Sequence, residues 1–185
     1  MIEDVTKDVA SRMAKSVSAL RDEFRKLRTG RAHTGLLEHI TVSSYGSEVP
    51  LSQTATVAVE DARTLTITPW DKQMVKAVEK AILTSDLGLN PVTAGAVIRV
   101  PLPPMTEERR KELVKIVRHE TETGRVAVRN IRRDGLGDVK ELLKEKLITK
   151  DEDHHAHDEI QKLTDTVIAE MDQLLKQKET EIMEF

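Results

Sequence analysis

The stretch TEERRKELVKIVRHETETGRVAVRNIRR, Thr106 to Arg133, decides the fold. Leu113, Ile116, Val117, Ala127, Val128 and Ile131 recur at steps of three and four, so they share one face of an amphipathic helix. Thr106 stands where an N-cap is expected, and Glu107 and Glu108 fill the first turn, where the helix dipole favours acids. Pro101, Pro103 and Pro104 lie just before and impose an extended approach. The periodicity predicts a helix over 106–147, kept continuous through Gly135 and Gly137, although each glycine costs about 1 kcal/mol relative to alanine.

Two further stripes flank this one. Ile2, Val5, Val9, Met13, Val17, Leu20, Phe24 and Leu27 predict a helix over 2–28, with Gly30 placed to cap its end. Ile160, Leu163, Val167, Met171, Leu174 and Ile182 predict a third over 153–184. None could stand alone with its stripe in water, so the three pack together. Between the first two the grammar changes. Ile40–Val42, Thr54–Val59, Thr64–Thr68 and Ala96–Val100 are β-branched and read as strands, with turns at Ser44–Gly46 and Glu60-Asp61. Lys72–Thr84 has helical spacing, and Asp86–Pro91 ends it. The expected class is α+β: a three-helix bundle from 1–30 and 105–185, with an α/β domain inserted over 31–104. The chain crosses between them near Gly30-Arg31 and Pro103-Pro104, which suggests a hinge.

Composition narrows the chemistry. With no cysteine among 185 residues, disulfides, thiol nucleophiles and thiolate zinc sites are excluded. Met-Ile-Glu-Asp-Val lacks the pattern of a secretory signal, and no apolar run approaches the roughly 20 residues that span a bilayer. We therefore expect a cytoplasmic chain with no membrane partner. Aromatics are only 2% of residues, which disfavours base stacking as the mode of nucleic-acid recognition. A net charge of −3 conceals a division: residues 105–150 carry 13 basic and 9 acidic side chains, and 151–185 carry 3 and 11.

At about 100° per residue, Lys111, Lys115, Arg118, Arg125, Arg129, Arg132 and Arg133 fall within an arc of about 100°. The apolar stripe is expected on the opposite side. Such a row extends about 30 Å. Arg21, Arg25 and Arg28 form a shorter one on the first helix. Arginine dominates, and its planar fork grips phosphate bidentately. Within the arc only Glu122 is acidic, so pairing along the helix cannot neutralise most of it. Contact with the phosphate backbone of structured RNA is the expectation; docking of an acidic protein is the rival. Asp151–Asp158, with His154, His155 and His157, reads as an acidic, solvated turn between helices, the alternative being a divalent-metal site. No catalytic motif is present, so an enzyme is not expected, and neither is a cofactor.

The chain strongly resembles the ribosome recycling factor family. The likeness runs from residue 1 to 185. It rests on Arg28-Thr-Gly-Arg-Ala32, Val59-Glu-Asp-Ala-Arg-Thr-Leu65, Ser85-Asp-Leu-Gly-Leu-Asn-Pro91, Arg99-Val-Pro-Leu-Pro-Pro104, Thr106-Glu-Glu-Arg-Arg-Lys111, Arg125-Val-Ala-Val-Arg-Asn130, Arg132-Arg-Asp134 and Gln161-Lys-Leu-Thr-Asp165. The resemblance implies a long three-helix bundle and a smaller β/α/β domain arranged as an L like transfer RNA. It implies a monomeric, non-catalytic factor that binds ribosomal RNA of the large subunit and works with elongation factor G and GTP to release messenger and subunits after termination. By that likeness Arg132 is the central RNA anchor, with Arg129 and Arg110 beside it. The smaller domain would swing about Gly30, Arg31, Pro103 and Pro104. Gly124, Gly135 and Gly137 depart from an unbroken helix, and Gly124 falls on the apolar face, where close helix approach would explain it.

Overall fold

The computed structural model describes residues 1–27, 29 and 31–184. Arg28 and Gly30, named above for phosphate contact and for the hinge and cap, lie outside the described residues. The chain divides into two compact units, Met1–Arg28 with Glu108–Glu184, and Thr29–Glu107. With long helices in one and an antiparallel sheet in the other, the class is α+β.

The first unit contains α1 (Ile2–Lys26), α3 (Glu107–Lys144) and α4 (Lys150–Glu184). Val9, Met13, Val17, Leu20 and Phe24 of α1 are buried, as are Leu113, Val117, Val128, Ile131 and Val139 of α3. Ala156, Ile160, Met171 and Ile182 of α4 complete the core. Each large apolar side chain buried this way contributes about 1.5–3 kcal/mol of transfer free energy. Ile116 is a correction: it is 38% exposed, so it marks the rim of the stripe. Three threonines are buried as well. Thr121 Oγ1 donates to the Val117 carbonyl at 2.7 Å, Thr164 Oγ1 to Ile160 at 2.8 Å and Thr6 Oγ1 to Ile2 at 3.2 Å. Each hydroxyl is thus satisfied within its own helix.

Several ends differ from the sequence-based expectation. α1 stops at Lys26 because Leu27 turns extended (φ −76°, ψ 126°), its N–H donating to the Phe24 carbonyl. α3 starts directly after Thr106 and runs unbroken through all three glycines, ending at Lys144, just before Lys146 takes φ 62°. α4 begins three residues earlier than expected. Thr149 N–H donates to Glu152 Oε2 (2.7 Å), and Glu152 N–H donates to Thr149 Oγ1 (3.2 Å). This reciprocal capping box starts the helix at Lys150, so Asp151–Asp158 form its first two turns and not a loop.

The glycines have separate reasons. A Cβ on Gly135 would fall 2.5 Å from Val9 Cγ2 and 3.4 Å from Ile160 Cδ1, so α1 approaches α3 there through the space a methyl would take. A Cβ on Gly124 would lie 3.3 Å from both Met171 Cε and Sδ. Gly137 faces open space.

In the second unit, β1 (Thr41–Ser44) and β2 (Ser47–Pro50) form a hairpin. Its turn places Tyr45 and Gly46 at positive φ (49° and 86°), as two-residue hairpin turns of mirror-image type require. β3 (Ala55–Asp61), β4 (Thr64–Pro69), β5 (Val92–Ala94) and β6 (Val97–Pro101) form a sheet in the order β3-β4-β6-β5, antiparallel throughout. The turn expected at Glu60-Asp61 sits at Ala62-Arg63, because a register shift between Val59 and Asp61 carries β3 further. Leu65↔Val100 and Ile67↔Ile98 pair across β4 and β6, and all four are fully buried. Val78 and Ile82 of α2 (Val75–Leu83) join them in one core.

Candidate nucleic-acid interface

α3 displays the cationic row, but its members stand in different states. On the side towards α4, carboxylates hold the guanidinium groups. Arg118 Nε donates to Glu179 Oε1 at 2.6 Å. Arg125 donates through Nε (2.9 Å) and also through Nη2 to Asp172 Oδ1, and through Nη1 to Glu122 Oε2 at 3.0 Å. The Arg125 side chain is only 21% exposed, and the Asp172 contact raises its pKa further. Arg110 Nη1 donates to the Met183 carbonyl at 3.0 Å, while its Nε is buried without a partner.

The remaining members divide between exposed and half-buried. Among the described residues, Lys115 and Arg132 carry no hydrogen bond or ion pair; Lys115 is exposed and Arg132 half-buried, with its Nε enclosed. Arg133 is exposed and reaches Asn130 Oδ1 at 3.5 Å. Arg129 Nη1 donates to Glu122 Oε1 at 3.1 Å. Glu122 therefore bridges two arginines, one on each oxygen. Those donors, Arg125 first, hold its carboxyl below the usual glutamate range. Lys111 is exposed.

The apolar side of α3 is not opposite the row. Because α1 and α4 both cover α3, its buried arc is centred roughly a third of a turn away at about 100° per residue. By the same count Arg132 stands on the edge that bears Arg110, Arg118 and Arg125, and those three bond α4. Lys140, seven residues beyond Arg133 and exposed, continues the outward side. Phase counting alone would have found it. On α1, Arg21 Nη2 pairs with Glu170 of α4 at 2.6 Å, and Arg25 with Asp22 at 3.4 Å. Most of these pairs are solvent-exposed and worth about 0–1 kcal/mol each, so a phosphate can displace them.

The histidine motif looks different once placed on a helix. His154 and His155 are exposed on successive positions, and His157 Nε2 lies 3.7 Å from Asp153. Among the described residues no group of three His, Cys, Asp or Glu side chains is arranged to hold a metal. No described helix is long and apolar enough to cross a membrane.

A family model described as ribosome recycling factor matches residues 20–183. The chain belongs to the ribosome recycling factor family. Ribosome-recycling factors from Nitrosococcus oceani and Thioalkalivibrio sulfidiphilus are each 60% identical over 184 residues, covering 100% of this chain and 98% and 100% of their own lengths. That from Coxiella burnetii is 60% identical over 183 residues, 99% of each chain. A solution structure of the ribosome recycling factor is similar over 100% of this chain and 98% of its own, with 44% identity and a TM-score of 0.65. So is a chain from models of the Thermus thermophilus ribosome recycling factor and the Escherichia coli elongation factor G bound to the post-termination complex. There the identity is 49%, the TM-score 0.58 and the coverage 98% of each chain.

Proposed function

We propose that this chain binds the post-termination ribosome and, with elongation factor G and GTP, releases messenger RNA and separates the subunits for reuse. It acts as a cytoplasmic monomer, without a cofactor and without catalysing a reaction of its own. The observation that carries this reading is the group Arg129, Arg132 and Arg133: arginine-based and held by a single carboxylate, Glu122, among the described residues, on a chain of this family. Arg132 is the central contact. No carboxylate among the described residues bonds its guanidinium, so a phosphate need displace no acid to pair with its accessible nitrogens. Lys115 and Lys111 extend the contact along α3, with Arg25 of α1; Arg28 is assigned to it from the sequence alone. Arg110, Arg118 and Arg125 complete the contact, although each also bonds α4.

The pivot of the motion is assigned to Gly30, Arg31, Pro103 and Pro104, beside the two places where the chain passes from one unit to the other. Force comes from the GTPase, and the smaller unit acts as its lever.

Post-termination ribosomes mixed with this protein, elongation factor G and GTP should separate into subunits, followed by light scattering or sedimentation. Intact ribosomes at saturating protein would refute the reading. Arg132→Ala should weaken ribosome binding and reduce the log–log salt slope by about 0.7–0.9, the share of one phosphate contact.

A further inference from the structure

We infer that Glu122 is a specificity-determining residue: its carboxylate tethers Arg129 and Arg125, so that the row holds RNA only where phosphates meet Arg129, Arg132 and Arg133 in register. The inference rests on the RNA-binding reading above. One carboxylate, 52% exposed, accepts from Arg125 at 3.0 Å and from Arg129 at 3.1 Å. It lies in the middle of the row, the only acid in that arc between Lys111 and Arg133. Arg125 is also gripped by Asp172 from α4, so its guanidinium stays in the bundle surface whether or not RNA is present. Arg129 is held by one nitrogen alone, and its remaining donors stay available.

Two physical effects follow. A fixed negative charge beside Arg129 repels any phosphate that approaches without enough cations around it to compensate. The tether also narrows the directions in which Arg129 can point, lowering the ordering cost at a matched site and withholding the side chain from unmatched ones. Generic polyanions lose both ways; a phosphate pattern that engages Arg132 and Arg133 together loses little.

The test compares Glu122→Gln with the unaltered protein on two ligands, a generic RNA duplex and purified ribosomes, across a salt series. The amide keeps the side chain's length and an acceptor oxygen but removes the charge. For the duplex, affinity should rise roughly fivefold near physiological salt, as expected for losing one like charge about 4 Å away in water. The log–log salt slope should steepen by about 0.7–0.9, one additional phosphate. Ribosome affinity should rise less, so the ribosome-to-duplex ratio falls. Asp158→Asn, the same charge change on α4, should leave duplex affinity and slope unchanged. Unchanged duplex binding by Glu122→Gln, an equal effect of Asp158→Asn, or a preserved ratio would each overturn the inference. Should the unaltered protein fail to bind ribosomes, the functional reading falls instead, and the duplex arm still decides the role of Glu122.

Discussion

Gly135 and Gly137 lie two residues apart in α3, and replacing each with alanine should move stability in opposite directions. At Gly137 the new methyl meets nothing within 4 Å, so only helix propensity acts, for a gain of up to about 1 kcal/mol. At Gly135 the methyl would sit 2.5 Å from Val9 Cγ2. Val9 is 1% exposed and β-branched, so it cannot rotate away within α1. The helices must separate instead. Overpacking of this kind costs about 1–3 kcal/mol, and so close a contact belongs at the upper end. After the propensity gain, the net loss is about 1–2 kcal/mol. In thermal unfolding followed by far-ultraviolet circular dichroism, Gly135→Ala should melt about 2–8 °C lower and Gly137→Ala up to about 4 °C higher. Val9→Ala alone should cost about 2 kcal/mol. In the double variant the methyl added to α3 occupies the space that the valine vacates, so the combined loss should fall short of the sum by about 1 kcal/mol or more. A Gly135→Ala protein as stable as the parent would refute the close approach of α1.

Three other substitutions test the remaining assignments. Thr149→Ala breaks the capping box of α4 and should lower stability by about 1 kcal/mol in urea unfolding, with ribosome binding unchanged. Arg125→Ala should cost about 1 kcal/mol of stability, since this mostly buried side chain joins α3 to Asp172, while reducing the ribosome salt slope less than Arg132→Ala does. Glu122 titrates below the ordinary glutamate value because Arg125 and Arg129 donate to it. A depressed carboxyl adds stability above its unfolded pKa, about 4.3, and that contribution disappears as pH falls through the folded value. The acid limb of a stability–pH curve should therefore be shallower in Glu122→Gln, and an identical limb would rule out the bridge.

The three rods were legible because their apolar residues recur with the helical period over many turns, which even three glycines in α3 do not erase. Strands β3, β4 and β6 could be read from their β-branched runs, whereas β2 and β5 could not. Ser47–Pro50 and Val92–Ala94 are short and become strands only by pairing with β1 and β6. The capping box at Thr149 and Glu152 was present in the sequence but hidden by the histidine-rich segment that follows. For the arginine row, the helix phase gave the set of residues, and it could not tell which of them are tied. That depends on Asp172 and Glu179, 47 and 61 positions from their partners Arg125 and Arg118, which face them only when α4 folds alongside.

The buried threonines bear on how the rods are aligned. Since Thr6, Thr121 and Thr164 each bond their own helix, those interior hydroxyls do nothing to stop one rod sliding or rolling against the next. That task passes to shape: Val9 seated at Gly135 and Met171 at Gly124 act as two keys in two slots along α3. The azimuth of Arg129, Arg132 and Arg133 is thereby set from inside the bundle, by side chains that never meet a phosphate.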